Sequence, residues 1–222
     1  MNSHSPIRIA IAGGHGQIAL HLERRLTAAG HHCTAIIRNP DQADDVRAAG
    51  AEPVVLDLEK ANVDELAATL TGLDVVVFAA GAGPSSGAQR KATVDRDGAI
   101  LLANAATQAG IQRYVMISAM AADEGDPESD DIFQIYLVAK GDADRAVRES
   151  GLDWTIVRPG RLTDDEPTGL VDAGEAVERA AISRADVAAV LVAVIEGVAT
   201  IGATFEVVAG STPIDDAVNA LG

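Results

Sequence analysis

The sequence predicts an α/β fold, a doubly wound parallel sheet in three αβα layers, and three observations predict it. Short apolar runs rich in valine and isoleucine alternate with segments of helical period along the chain. Gly30, Gly50, Gly72, Gly110 and Gly151 stand where each of the first five helical segments should stop, positions that favour left-handed backbone angles. The first strand–helix joint is a glycine-rich turn, Ala12-Gly13-Gly14-His15-Gly16-Gln17-Ile18-Ala19. Repeated strand–helix units join parallel neighbours by right-handed crossovers, which gives the doubly wound arrangement.

Taken in order, the strand at Ile7–Ala12 feeds the glycine turn and a helix over Gln17–Ala29. Strands follow at Cys33–Ile37, Pro53–Leu56, Leu73–Ala80, Arg113–Ser118, Trp154–Val157 and Thr204–Val208; they are short and apolar, as strands covered on both faces should be. Helical periodicity marks Asp41–Ala49, Val63–Leu70, Ala88–Ala109, Ile132–Ser150, Arg184–Val198 and Ile214–Leu221. Ser183-Arg184-Ala185-Asp186 has the spacing of a capping box at the start of the helix before the last strand. With no repeat, linker or low-complexity tail, residues 1–222 read as a single domain. About sixty residues follow the sixth strand, and helices and a strand claim most of them, so the expected substrate pocket is shallow and open.

Composition sets the function classes. A hydrophobic fraction of 48% with 23% charged residues is that of a soluble globular chain. No apolar run approaches the roughly 18 residues of a membrane span, and Met1-Asn2-Ser3-His4-Ser5-Pro6 lacks the features of a signal peptide. One cysteine, Cys33, precludes an internal disulfide and suits a reducing compartment. The expectation is a cytoplasmic protein, monomer or homodimer, acting on a small molecule. The formal net charge of -16 argues against nucleic acid and anionic membranes as partners. It also means that an anionic cofactor must be held by local positive groups.

The glycine turn is where a dinucleotide would bind. Gly14-x-Gly16-x-x-Ala19 supplies a tight turn, close approach to a pyrophosphate and a small residue for helix–strand packing, with the helix N-terminus behind. Gly13, Gly14, His15, Gly16, Gln17 and Ile18 are therefore cofactor-binding candidates. The second strand ends in Arg38-Asn39-Pro40 rather than in the acidic residue that bonds a ribose 2′-hydroxyl. A guanidinium there can fork onto a 2′-phosphate, which favours NADP(H) over NAD(H). Asp57-Leu58, after the third strand, would lie beside the adenine, and Ala79-Ala80-Gly81 is small enough for the cofactor to cross the tip of the fourth strand.

Candidate chemistry lies at Tyr136-Leu137-Val138-Ala139-Lys140. A spacing of four puts Tyr136 and Lys140 on one helical face, where the ammonium should lower the phenol's pKa toward neutrality. Ser118, at the tip of the fifth strand, adds a hydroxyl from the same edge of the sheet. No metal-ligand spacing occurs; His31 and His32 read as surface residues, Cys33 as a buried strand residue, and Trp154 as core against the last helices. Arg158 serves either as a structural ion-pair partner or as a substrate contact. The acidic stretch Asp123–Asp131, six carboxylates in nine residues, is either a solvated loop or a mobile flap over the pocket.

These motifs resemble the short-chain dehydrogenase/reductase superfamily, and within it the atypical NAD(P)H-binding branch that includes NmrA-like proteins and biliverdin-IXβ/flavin reductases. The glycine turn, Ser118, the Tyr136/Lys140 pair, Asp153-Trp154-Thr155-Ile156-Val157-Arg158-Pro159-Gly160 and Ile182-Ser183-Arg184-Ala185-Asp186-Val187-Ala188 carry the resemblance over nearly the whole chain. It implies a Rossmann-type oxidoreductase in which Ser118 polarises a carbonyl and Tyr136 delivers the proton. Lys140 would bind the nicotinamide ribose, and the Pro159-Gly160 backbone would meet the carboxamide. The superfamily's frequent catalytic asparagine is missing: the matching helix reads Val94-Asp95-Arg96-Asp97-Gly98. Two rivals share the fold, an NADP-binding sensor without turnover and a reductase of flavins or tetrapyrroles.

Overall fold

Hydrophobic alternation sets the architecture. In the computed structural model, which describes residues 5–83 and 86–222, Ile9 and Ile11 face one side of the sheet and Ala10 and Ala12 the other. Val75 and Val77 oppose Val76 and Phe78 in the same way, as do Val115 and Ile117 against Tyr114 and Met116. Both faces are apolar, so both need a layer of helices. Met1–His4, the head of the stretch expected to lack a signal sequence, lies outside the described residues.

The strands are β1 (Arg8–Ala12), β2 (His32–Ile37), β3 (Glu52–Val55), β4 (Val75–Phe78), β5 (Arg113–Ile117), β6 (Asp153–Pro159), β7 (Arg161–Thr163), β8 (Leu170–Gly174), β9 (Ala181–Ser183), β10 (Ala203–Ala209) and β11 (Thr212–Pro213). Nine of them form one sheet in the order β11-β8-β10-β6-β5-β4-β1-β2-β3, while β7 and β9 pair as a separate small sheet. The reversal of strand order at β1/β4 is the switch point at which such sheets open a crevice for ligands. The seven principal strands, β1 to β6 and β10, run parallel as expected. The sheet is not parallel throughout, however, because β8 joins β10 antiparallel at the edge.

The helices are α1 (Gln17–Ala28), α2 (Ala43–Ala48), α3 (Val63–Leu70), α4 (Ala88–Arg90), α5 (Gly98–Ala109), α6 (Ile132–Glu149), α7 (Arg184–Glu196) and α8 (Ile214–Asn219). Residues of α1, α7 and α8 pack on the Ile9/Ile11 face, and those of α3, α5 and α6 on the Ala10/Ala12 face. All five predicted stop glycines have positive φ, between 75° and 91°. Ser183 caps α7 by accepting from the Asp186 N–H, but the Asp186 carboxylate turns to the Thr168 and Gly169 N–H groups instead of closing a reciprocal box. The full capping box lies elsewhere, between Asn62 and Glu65 at the start of α3.

Four expectations need correction. The segment 88–109 is not one α-helix: Lys91–Asp97 between α4 and α5 is π-helical, which turns Lys91, Val94 and Asp95 inward. His31 is not at the surface. Its ring is buried, with Nδ1 accepting from the Ile7 N–H at 3.2 Å and Nε2 3.0 Å from Glu196. Trp154 packs with the α3/α5/α6 face rather than against the last helices. Finally, the residues after β6 supply more than two helices and a strand: β8 and β11 extend the main sheet beyond β10, and β7 and β9 pair as a small second sheet.

Candidate functional site

The glycine turn divides its labour. Gly13 sits at φ +83, and a Cβ there would meet the Ala80 backbone at 2.5 Å, so the turn after β1 needs glycine. A Cβ on Gly14 would meet the Ala35 Cβ at 2.5 Å, which makes Gly14 the close-packing position against β2. Both N–H groups donate to the Ile36 carbonyl, so they shape the turn rather than face a ligand. Gly16, which precedes α1, is exposed and lines a cavity. Among the described residues the His15, Gln17 and Ile18 N–H groups lack a partner, while Leu20 N–H already bonds Gly16. A helix start with free donors and no Cβ at Gly16 is a cradle that fits a pyrophosphate.

That cavity, of about 320 Å³, runs along the carboxyl ends of β1 to β4. Gly13, His15, Gly16, Arg38, Asp57, Leu58, Ala79, Ala80 and Gly81 all line it, whereas Gly14, Gln17 and Ile18 do not. His15 Nε2 pairs with Asp45 at 2.8 Å across the mouth. Burial disfavours the Asp57 carboxylate, but hydrogen bonds from Lys60 and the Glu59 N–H, with the charge of Arg38, hold its pKa below the ordinary range.

The structure adds a cluster that the sequence reading missed. Arg38 and Arg90 converge on one carboxylate oxygen of Glu59, at 3.3 and 2.9 Å, while Thr93 donates to the other. Two guanidiniums thus share one carboxylate at the rim of the dinucleotide cavity. Arg90 is fifty-two residues from Arg38 in sequence, and no local pattern joins them.

A second cavity, of about 840 Å³, opens beside the ends of β5 and β6. It is larger than the shallow pocket expected, because β7, β9 and residues 179–180 wall it. Ser118, Tyr136, Pro159 and Gly160 line it. The approach at Gly160 is tight: a Cβ there would collide with the Ala180 carbonyl, so glycine lets β7 pass into the small sheet. Ala121, also in the lining, is the one non-glycine residue with positive φ among the described residues, at 63°. Backbone strain at that corner carries Ala119 and Met120 to the cavity wall.

The Tyr136/Lys140 pair does not behave as its spacing suggests. Lys140 is buried, donates to the Ile117 carbonyl at 3.1 Å and pairs with Asp95 at 3.5 Å. Its ammonium lies 5.9 Å from the Tyr136 ring centroid and lines neither cavity. Burial pushes the Tyr136 phenol above its ordinary range; Lys140 opposes the shift, and Asp95 and Asp144 add to it. The expected fall toward neutrality is therefore reversed: burial is the largest cause, and the charges of Asp95 and Asp144 work against the lysine's pull. Asp95 stands on the helix where the superfamily's asparagine was sought, and its second oxygen accepts from the Ala82 N–H. Lys91, from the same π-helical stretch, is buried over the Tyr136 ring at 4.9 Å and donates to the Gly83 carbonyl.

Ser118 is buried at the strand tip; its hydroxyl has no close hydrogen-bond partner, although it lies near enough to the Asp144 carboxylate to favour that group's charged form, and it lines the cavity where a ligand can reach it. Behind it, Arg158 makes two contacts to one oxygen of Asp144, at 2.7 and 2.9 Å, and a third to Asp123 at 2.7 Å. Arg158 is thus a structural partner, not a substrate contact. Burial raises the Asp144 carboxyl above its usual range, against the pull of Ser118 and Arg158. The acidic stretch is tied at both ends: Asp123 to Arg158, Glu124 to Arg179 at 3.0 Å, and Asp131 as the N-cap of α6. No cluster of three metal-ligating side chains and no helix long and apolar enough to cross a membrane occurs among the described residues.

A family model described as NAD(P)H-binding matches residues 13–197. The chain is 37% identical over 216 residues to the uncharacterized sugar epimerase YhfK of Bacillus subtilis, covering 97% of this chain and all of that one. A solved structure from Bacillus halodurans, provisionally named an NAD-dependent epimerase/dehydratase, superposes with a TM-score of 0.88 at 37% identity over 97% of this chain and all of that chain. The oxidoreductase ylbE of Lactococcus lactis gives 0.84 at 27% identity over 97% of this chain and 96% of its own. With its glycine turn, switch-point crevice and free helix donors, this chain belongs to the NAD(P)H-binding family of Rossmann-fold proteins.

Proposed function

We propose that the protein is an NADP(H)-dependent oxidoreductase that reduces a small carbonyl or related acceptor held in the second cavity. The observation that carries the reading is the shared wall of Ser118 and Tyr136 in a cavity at the tip of β5, next to the β4 tip that lines the dinucleotide cavity. When bound, the nicotinamide supplies hydride. The protein supplies position and a proton. The Ser118 hydroxyl, which lines the cavity, donates to the acceptor oxygen, and the Pro159-Gly160 backbone limits where the nicotinamide amide can sit. Tyr136, whose burial keeps the phenol protonated through neutral pH, is a proton donor in its resting state. That state suits reduction better than epimerisation, which begins by removing a proton. Lys140, pinned between Asp95 and the Ile117 carbonyl, fixes the ring's surroundings. Relatives named an NAD-dependent epimerase/dehydratase and an oxidoreductase support a nicotinamide-dependent reading.

The preference for NADP(H) over NAD(H) rests on Arg38 and Arg90. With Asp57 paired to Lys60, two guanidiniums against the Glu59 carboxylate leave a net positive charge where a 2′-phosphate would lie. Arg38→Ala is expected to reduce the ratio of NADPH to NADH affinity by about ten-fold or more, the size of one charge-assisted hydrogen bond. Titration of both cofactors by nicotinamide fluorescence checks this, and an unchanged ratio would remove the 2′-phosphate assignment. NADPH oxidation is then followed with carbonyls, quinones and flavins as acceptors. Turnover of carbonyls supports the reading, tight NADPH binding without turnover supports a sensor, and turnover of flavin alone supports a flavin reductase.

A further inference from the structure

The second cavity is selective in charge as well as in shape. The chain carries 33 acidic and 17 basic residues, yet no carboxylate lines this cavity, and its charged lining residues are Arg161 and Arg179. Arg161 opens β7 directly after Gly160, and its N–H donates to the Ala180 carbonyl at 3.2 Å, which places it beside the cavity. No ion pair or side-chain hydrogen bond engages Arg161 among the described residues. Arg179 is held only by Glu124, in a pair exposed by 70% and 69%, which costs little to open. Apart from the hydroxyls of Ser118 and Tyr136, the side chains of the rest of the wall are apolar: Met120, Leu162 and the rings of Phe133 and Tyr136, whose centroids are 6.2 Å apart at 34°. Phe133 is 60% exposed. An apolar wall ending in an unengaged guanidinium suits a ligand with a flat apolar body and one oxyanion at its end.

We infer that the second cavity binds acceptors bearing a carboxylate, sulfonate or phosphate, with Arg161 as the anion-recognising residue and Arg179 as its second donor once released from Glu124. This inference rests on the reading of that cavity as the acceptor site, and names the acceptor's charge. Recognition of this kind is additive to the chemistry at Ser118 and Tyr136, since neither arginine needs to touch the reacting atoms.

The probe pair is 2-naphthoate and 2-naphthamide, nearly isosteric and differing in charge, titrated into the full protein alone and with saturating NADP+. Naphthoate should bind about ten-fold tighter than naphthamide, as one charge-assisted contact in a partly enclosed site provides. The advantage should shrink as salt rises. Arg161→Gln should abolish most of the preference, Arg161→Lys should retain part, and Arg179→Gln should lower it further. Equal affinity of the two probes, no binding of either with or without NADP+, or a preference surviving in the Arg161→Gln/Arg179→Gln double variant would overturn the inference. Because binding is read without turnover, the two ideas fail separately. An anion preference without NADPH oxidation sinks the reductase reading alone, and turnover of neutral acceptors without anion preference sinks this inference alone.

Discussion

Replacing Arg158 by methionine is expected to destabilise the protein by about 3–5 kcal/mol, the usual cost of leaving a buried charge without its partner. Asp144 is fully buried, and Arg158 gives it two hydrogen bonds to one oxygen. The other oxygen is unbonded, and Arg148 stands off at 4.0 Å, so no second cation can take over without movement. Such a loss is a large part of a total stability of about 5–15 kcal/mol, and corresponds to a fall in Tm of roughly 6–20 °C for a chain of this size. The sign of the pH dependence follows from Asp144. Without the guanidinium its carboxyl titrates still higher, so lowering the pH neutralises the orphaned charge and should recover part of the loss. The double variant Arg158→Met/Asp144→Leu should also recover much of it, because a buried ion pair is no more stable than a well-packed apolar pair. Urea unfolding at several pH values measures all three, and a loss below about 1 kcal/mol would contradict the buried-pair account.

Glu23→Met should do the opposite and stabilise the protein. Glu23 lies on α1 beneath the glycine turn, fully buried, with both carboxyl oxygens lacking a partner and one of them close to the Gly14 position. Burial raises its pKa from 4.5 to about 8, with Arg24 opposing the shift weakly. The folded-state pKa of this acid is raised, so its penalty is absent below pH 4.5 and grows as pH rises toward 8. The gain from Glu23→Met should therefore be about 1 kcal/mol at pH 5 and several kcal/mol at pH 9, with about 5 kcal/mol as an upper bound. A difference that does not grow with pH would mean that the carboxyl reaches water. Glu23 also helps to hold the neighbouring Cys33 thiol in its neutral form: burial first, then the glutamate's charge, pushes the thiol to about 12.

Much of this was legible in the sequence, for reasons that can be named. Glycines at helix ends read correctly because φ near +80° excludes most other residues, and Gly30, Gly50, Gly72, Gly110 and Gly151 all adopt it. Strands β1, β4 and β5 read correctly because burial on both faces demands continuous apolar runs. What escaped was non-local. The Arg38–Glu59–Arg90 cluster joins two loops and the short helix α4, and His31 is paired in the core with Glu196, 165 residues away. β7, β8 and β9 are short and only partly apolar, so periodicity is silent there. The π-helical turn left a normal helical pattern in the sequence, yet it brings Asp95 to Lys140, where its charge adds to the burial that holds the Tyr136 phenol high. Spacing identified the pair; only the fold reveals the third charge beside it.

The central claim is that Tyr136 passes a proton to an acceptor reduced at the edge of this sheet. Its most direct test is single-turnover NADPH oxidation at 340 nm, on mixing the protein–NADPH complex with a carbonyl acceptor, for the native protein and Tyr136→Phe. Because Tyr136 lines the second cavity and not the dinucleotide cavity, the variant should bind NADPH as the native protein does. Its oxidation rate should fall by about 10²–10⁴, the usual contribution of a positioned proton donor. Equal rates in the two proteins, or no oxidation by the native protein while NADPH binds tightly, would contradict the account.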